Sequence, residues 1–163
     1  MTDAEPDLAP QAPVDCALLA LSGRRLQLLV PLNAIAEVVE EPPLTAPGAH
    51  AAWLLGWARW RDLEIPLLDY EAIGGDPGTP RDRARRMVVV KAMGNSAPRS
   101  YYGLAIQDPP RPLRLGVDSD LSAREVPPPK GATLLVDIGG EPALIPDFEL
   151  LEALAREAPP EQP

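Results

Sequence analysis

Apolar residues in this chain come in short bursts, set apart by prolines, glycines and charged pairs. Cys16 to Leu21, Leu26 to Val30, Ile35 to Val39, Met87 to Val90, Tyr101 to Gln107, Thr133 to Ile138 and Ala143 to Ile145 each have the length of a strand and fall short of a helix. Ser22-Gly23 reads as a turn joining the first two into a hairpin, and Gly139-Gly140 joins the last two. Pro31 ends the second strand, and Leu32-Asn33-Ala34 reads as one helical turn. Pro42-Pro43 and Pro47-Gly48 impose a loop, and Asn95 to Arg99 reads as another. Helical spacing occurs only near the C-terminus. There Phe148, Leu151, Leu154 and Ala155 share a face, Glu149, Glu152 and Arg156 lie outside it, and Asp147 is placed as the N-cap. The pattern predicts an all-β chain with short helical turns and a short C-terminal helix.

One stretch anchors that reading: Leu55 to Tyr70, two apolar runs flanking Arg61-Asp62. It predicts a hairpin with a charged tip, although the pair lacks the glycine of the strongest hairpin signals. Leu63, Ile65 and Leu67 alternate onto one face of the second strand, with Glu64, Pro66 and Leu68 on the other. Pro66 has no N–H to give a ladder, which predicts an edge strand or a bulge. The same rule makes any strand from Arg111 to Leu115 an exposed edge, because Pro112 interrupts it. Residues 116–130 read as an irregular excursion ending in Pro127-Pro128-Pro129.

Residues 1–14 are acidic and rich in alanine and proline, a composition that predicts a disordered arm. A folded domain is expected over 15–157, in approximate halves 15–75 and 84–157 around a linker at 76–83, with a loose tail at 158–163. Ile65-Pro66-Leu67-Leu68-Asp69-Tyr70-Glu71 returns, shortened, as Ile145-Pro146-Asp147-Phe148-Glu149. Each copy follows a hairpin and precedes an apolar turn. Two such units fit two small barrels packed together, each closed so that few strand edges stay free.

Composition narrows the chemistry. The 163 residues suit one compact domain or two small halves, and 22 prolines oppose long helices. With aromatics at 4 %, packing rests on Leu, Ala, Val and Ile. A formal net charge of −9 repels phosphate backbones, so nucleic acid is not an expected partner. The local basic run Arg81, Arg83, Arg85 and Arg86 reads as a solvated loop leading into a strand. Cys16 is the single cysteine, which excludes an internal disulfide and a four-cysteine metal site; it is expected as a buried thiol in the first strand. His50, the single histidine, has no cysteine or second histidine nearby to suggest a metal or catalytic role. The chain shows no phosphate loop and no nucleophile with a base near it, so neither catalysis nor a cofactor is expected. It begins without a secretion signal and holds no apolar run of bilayer length, so a cytoplasmic location is expected.

The anchor stretch, Gly56-Trp57-Ala58-Arg59-Trp60-Arg61-Asp62-Leu63-Glu64-Ile65-Pro66-Leu67-Leu68-Asp69-Tyr70, resembles the signature of the CheW family. There it reads glycine, two apolar residues, Asn-Leu-Arg-Gly, two variable residues, then Ile-Pro-apolar-apolar-Asp-Leu. Gly56, Arg61, Ile65, Pro66 and Asp69 fall in register without a gap. Ile35 and Glu37, Tyr102-Gly103-Leu104-Ala105-Ile106 and Leu144 to Leu151 resemble its flanking segments, so the match runs from about Leu18 to Leu154. The resemblance implies two SH3-like five-stranded β-barrel subdomains. It also implies a non-enzymatic adaptor that couples chemoreceptor (methyl-accepting) signalling tips to a CheA-type histidine kinase. By carry-over, Ile35, Glu37, Gly56 and Arg61 stand on the partner surface, with Asp62 beside them. Arg61 would offer a fork of donors to a carboxylate or carbonyl, and Glu37 would meet a basic partner group or orient Arg61.

Three departures bear on partners. Arg59-Trp60-Arg61-Asp62 stands where the family has Asn-Leu-Arg-Gly, so a negative charge replaces the turn glycine. Gln107 replaces a common aspartate, and Pro109 and Pro112 fall where the family has strand residues. Tyr101-Tyr102 and the proline-rich sequel resemble adaptors of type IV pilus-linked systems, which drive twitching motility. Trp53, Trp57 and Trp60 are expected in the core, any exposed one serving as an interface anchor. Two other readings stand beside the adaptor: a kinase-binding regulator whose Asp62 keeps receptors away, and a small barrel that binds nucleic acid through Arg81–Arg86, Tyr101 and Tyr102.

Overall fold

The computed structural model describes residues 12–21, 27–45, 51–75, 86–93 and 100–158. The arm up to Gln11, the Ser22-Gly23 turn, the Pro47-Gly48 loop, His50, the 76–83 linker, Arg81, Arg83, Arg85, the Asn95–Arg99 loop and the tail from Pro159 lie outside those residues.

The strands are β1 (Val14–Ala20), β2 (Gln27–Pro31), β3 (Ile35–Glu40), β4 (Leu44–Thr45), β5 (Leu54–Trp60) and β6 (Leu63–Leu68), then β7 (Arg86–Lys91), β8 (Tyr101–Ile106), β9 (Arg111–Leu115), β10 (Leu121–Ala123), β11 (Ala132–Ile138) and β12 (Glu141–Pro146). A 3-10 turn spans Leu32–Ala34, and two helices, α1 (Tyr70–Ile73) and α2 (Phe148–Glu157), follow β6 and β12. The all-β expectation holds, with each short run near its expected bounds. The 116–130 excursion is less irregular than expected. Leu121–Ala123 pairs with β11, and Arg124 seals that pairing with two hydrogen bonds to Asp137, at 2.8 and 2.6 Å.

The strands form two six-stranded sheets, ordered β10-β11-β12-β2-β1-β9 and β4-β5-β6-β8-β7-β3. Each contains five strands of five to seven residues and one much shorter one, β10 or β4. Read side by side, the two orders have one topology. A three-strand meander (β4-β5-β6 or β10-β11-β12) meets an antiparallel set of three (β8-β7-β3 or β2-β1-β9) through one parallel pair. Those parallel pairs are Leu67↔Gly103 with Leu68↔Leu104, and Leu144↔Leu28. Each sheet therefore draws strands from both sides of the linker. The halves 15–75 and 84–157 describe chain order, and the N-terminal hairpin completes the sheet built by the C-terminal strands.

Alternation along the strands distributes side chains among three clusters. Cys16, Leu18, Leu29, Val136 and Ala143 fill the interior of the first sheet, with Leu113 and Leu115 of edge strand β9 against them. Leu55, Ala58, Trp60, Ile65, Leu67, Met87, Val89 and Ala105 fill the second. Ala36 and Val39 of one edge and Leu44 of the other pack on that same cluster, so the sheet curls into a small barrel. The opposite faces meet in a shared core that includes Leu19, Leu28, Leu68, Val88, Leu104 and Leu144. Leu151 and Ala155 of α2 close it. At Gly103 a Cβ would stand 2.5 Å from the Met87 sulfur, so the bare backbone leaves Met87 room in the barrel.

One expectation needs correction. Pro66 lies on neither an edge strand nor a bulge: β6 runs between β5 and β8, and tolerates proline because its β8 ladder begins only at Leu67. Leu63 pairs with Trp60 at the hairpin tip, where it is 46 % exposed. Glu152 is half-buried, and its carboxylate accepts the backbone N–H of Met93. Asp147 caps α2 as expected, accepting from the Leu150 N–H at 3.2 Å.

Leu67 is fully enclosed, so Leu67→Ala removes buried methyls and leaves a cavity. The expected loss is roughly 2–5 kcal/mol of unfolding free energy, measured by urea titration. At the far side of the first sheet, the hydrogen bonds and charge of Arg124 hold the Asp137 carboxyl below the usual carboxylate range. A depressed folded pKa contributes stability above the unfolded value of about 3.9, and that contribution is lost as pH falls through the folded pKa. Exchange protection of β10 amides is expected to fall on acidification below about pH 4, and Asp137→Asn should show the weakened protection already at neutral pH.

Candidate partner-binding surface

The hairpin β5–β6 carries the site. Trp60 and Leu63 are its last pair, leaving Arg61 and Asp62 as a two-residue turn, and both side chains are exposed. Arg61 has φ 55°, whereas Asp62 is not among the residues of positive φ. A positive φ at the first turn position alone is the type II′ pattern, which matches strand twist and favours glycine. A side chain there costs on the order of 1–2 kcal/mol, so Arg61 occupies a position that backbone preference would give to another residue.

Behind the tip stands Trp60, only 4 % exposed, with its ring inside the barrel. Its indole N–H donates to the carboxylate of Glu37 on β3. The Arg61 Cζ lies over the ring, 4.5 Å from its centroid. Tyr101, at the start of β8, meets the ring at 4.9 Å and 57°. Glu37 does not touch Arg61 directly: it holds the tryptophan, and the tryptophan holds Arg61.

Magnitudes account for that choice. An exposed Glu–Arg pair is worth roughly 0–1 kcal/mol, whereas a buried N–H deprived of its acceptor costs about 1–3. The carboxylate therefore goes to the indole, and Arg61 settles for a ring contact of about 0.5–1 kcal/mol.

The expected surface residues separate in the structure. Glu37, Arg61 and Asp62 are exposed around the tip. Ile35 is half-buried and packs on the shared core. Gly56 is buried, which corrects its expected place on the contact surface. It has φ 146°, and the β5 register shifts between Leu54 and Gly56, so the glycine serves a bulge in the strand. The members missed in the sequence are Trp60 as a shared support and Tyr101 as its neighbour. A tryptophan in place of leucine directly before the arginine was the available signal.

Other candidates lose their chemistry. Tyr102 is 1 % exposed, with a hydroxyl that finds no hydrogen-bond partner among the described residues, so it cannot stack on a base. Burial, with the Glu152 carboxylate adding to it, pushes that hydroxyl far above its usual pKa. Arg86 is engaged by Glu40 at 2.9 Å and by the Gln107 carbonyl at 2.7 Å. Cys16 is buried in β1 as expected, and burial, then the Asp15 charge, raises its thiol pKa. No helix among the described residues is long and apolar enough to cross a membrane.

The structure is thus two interlocked small barrels with a charged hairpin tip whose support is drawn from three strands. The family model of the CheW-like domain matches residues 16–155, and the chain belongs to that family. Membership in this family of non-enzymatic scaffolds supports a chemosensory adaptor role. Among solved structures, the chain is similar to the scaffolding protein TtCheW from Thermoanaerobacter tengcongensis, with 19 % identity and a TM-score of 0.58 over 83 % of this chain and 90 % of that one. That likeness bears on the fold, two SH3-like subdomains. No curated protein sequence matches the chain.

Removing the acceptor should expose the cost of the buried indole. Glu37→Ala is expected to lower unfolding free energy by about 1 kcal/mol, the low end because water can reach an exposed position. Glu37→Gln, which keeps a carbonyl acceptor, is expected to lose less in the same urea titration.

Proposed function

We propose that this protein is a non-enzymatic adaptor that couples chemoreceptor signalling tips to a CheA-type histidine kinase, in the cytoplasm at membrane-associated arrays. The observation that carries the reading is the Arg61 guanidinium, held at an exposed turn without an ion pair among the described residues, inside a domain of the CheW-like family. A free cation at the end of a rigid hairpin is suited to a carboxylate or carbonyl on a partner's helix. Such a contact is modest alone. In an array, many copies and two partners raise effective concentration, so weak contacts suffice to hold register.

One feature favours a second reading, a kinase-binding regulator that leaves receptors alone. Asp62 is exposed directly beside Arg61, where the family pattern has a glycine, and it would repel an acidic receptor surface. Flagellar or type IV pilus output depends on which kinase and receptor are bound. The nucleic-acid reading has lost its stacking residues, since Tyr102 is enclosed and Tyr101 packs on Trp60.

Arg61→Glu reverses the charge at the tip without touching the core. Its thermal midpoint is expected to stay within a few degrees of the parent, a shift corresponding to under about 1 kcal/mol. Its binding to kinase and receptor-tip fragments, measured separately by calorimetry, is expected to weaken. Loss of receptor binding alone supports the coupling adaptor. A parent chain that binds the kinase and ignores the receptor tip supports the regulator, and unchanged binding to both removes Arg61 from the contact.

A further inference from the structure

The support beneath Arg61 carries a consequence of its own. Glu37 and Arg61 both touch Trp60, one at its N–H and one over its ring. Opposite charges that share a neighbour so closely would ordinarily pair and spend each other's hydrogen-bonding capacity. Here one oxygen of the carboxylate accepts from the indole N–H, which anchors Glu37 at the ring's edge while the guanidinium lies over its face. The ring offers the guanidinium no lone pair, so the N–H donors of Arg61 stay available while its position is fixed. Tyr101 restricts the indole from the β8 side, and the barrel interior encloses the rest of the ring.

We propose that Trp60 is a positioning residue that insulates Arg61 from Glu37, and so keeps an unpaired guanidinium poised for an acidic side chain on the partner. This rests on the reading of Arg61 as a contact. A residue without a ring N–H at position 60 would release Glu37, which would swing to Arg61 and compete with the partner's carboxylate. Trp60 thereby sets whether the guanidinium stands apart from Glu37 or is paired with it, while the formal charge of the tip is the same in both arrangements. Preorganisation contributes as well, because a guanidinium already held over a ring loses less rotamer freedom on binding.

The test uses the full chain with receptor-tip and kinase fragments as probes. Trp60→Phe keeps an aromatic face and deletes the N–H. It is expected to bind the acidic partner roughly fivefold more weakly, the scale of one exposed ion pair lost to competition. Adding Glu37→Gln to that variant removes the competitor and is expected to restore binding. Partner-free spectra provide a second readout. In the parent, Glu37→Gln should shift the Trp60 indole N–H resonance, and in Trp60→Phe it should shift the Arg61 Nε–H resonance. Weakened binding that Glu37→Gln fails to rescue, or an Arg61 resonance indifferent to Glu37 in the Trp60→Phe background, overturns the insulating role. Parent-like binding by Trp60→Phe overturns it too. If Arg61→Glu itself binds like the parent, the contact reading falls and this inference with it, whatever the spectra show of the intramolecular exchange.

Discussion

The parallel contact between β2 and β12 ties the two ends of the chain into one sheet. Leu144 lies beside Leu28 at that seam, and both point into the core shared by the two sheets. Without the seam, β10, β11 and β12 are cut off from β2, β1 and β9, which stay paired with one another. The second sheet closes over shorter stretches of chain, Ile35 pairing with Val90 and Leu67 with Gly103. An antiparallel hairpin forms locally, whereas a seam between residues 28 and 144 must wait for the chain between them to be arranged, a slow and costly closure. The seam also completes the shared core, to which each sheet contributes one wall.

Burying both faces of the central strands has a price in sequence freedom and a return in rigidity. Strands such as β7, with Met87 and Val89 in the barrel and Val88 and Val90 in the shared core, have no solvent face to absorb change. The hairpin β5–β6 is set in the same framework through Leu68 and Trp57 on one side and Ile65 and Leu67 on the other. Its tip is consequently held firmly, although Arg61 and Asp62 themselves touch little. Tyr70 extends the framework from the hairpin to the other sheet. Its hydroxyl donates to the Gly131 carbonyl at 2.6 Å, the same carbonyl that accepts the Asp147 N–H at 2.8 Å.

Strand existence was legible because two-residue alternation and proline punctuation are local signals. The helix cap at Asp147, the 3-10 turn at Leu32–Ala34 and the exposed edge at β9 were legible for the same reason. Strand partnership was not. Nothing local in Leu26 to Val30 says that its second neighbour is β12, so chain order suggested halves that the sheets do not follow. The echo of Ile65-Pro66 in Ile145-Pro146 reflects two like units, since each segment leads from a strand beside a parallel partner into a helix with aspartate at its N-cap position. Pro66 carries no local sign of its strand's interior place, because the short reach of the β8 ladder is a tertiary fact.

At the tip, the sequence showed the charges and concealed their arrangement. Glu37 and Arg61 are opposite in sign and suggested a pair, but pairing is decided by what else wants the carboxylate. A buried indole N–H has one chance at an acceptor, and an exposed guanidinium has water. The same reasoning explains why the departure from leucine at position 60 matters more than its conservative hydrophobicity suggests. Leucine fills a barrel mouth and makes no demand on a neighbouring glutamate. Tryptophan fills the same space and also draws a carboxylate oxygen to its N–H, leaving the guanidinium on the ring beside Asp62. On the proposed reading of Arg61 as a contact, the attraction of the tip for an acidic partner is thus set one residue away from the charge itself, by the hydrogen-bonding need of its neighbour.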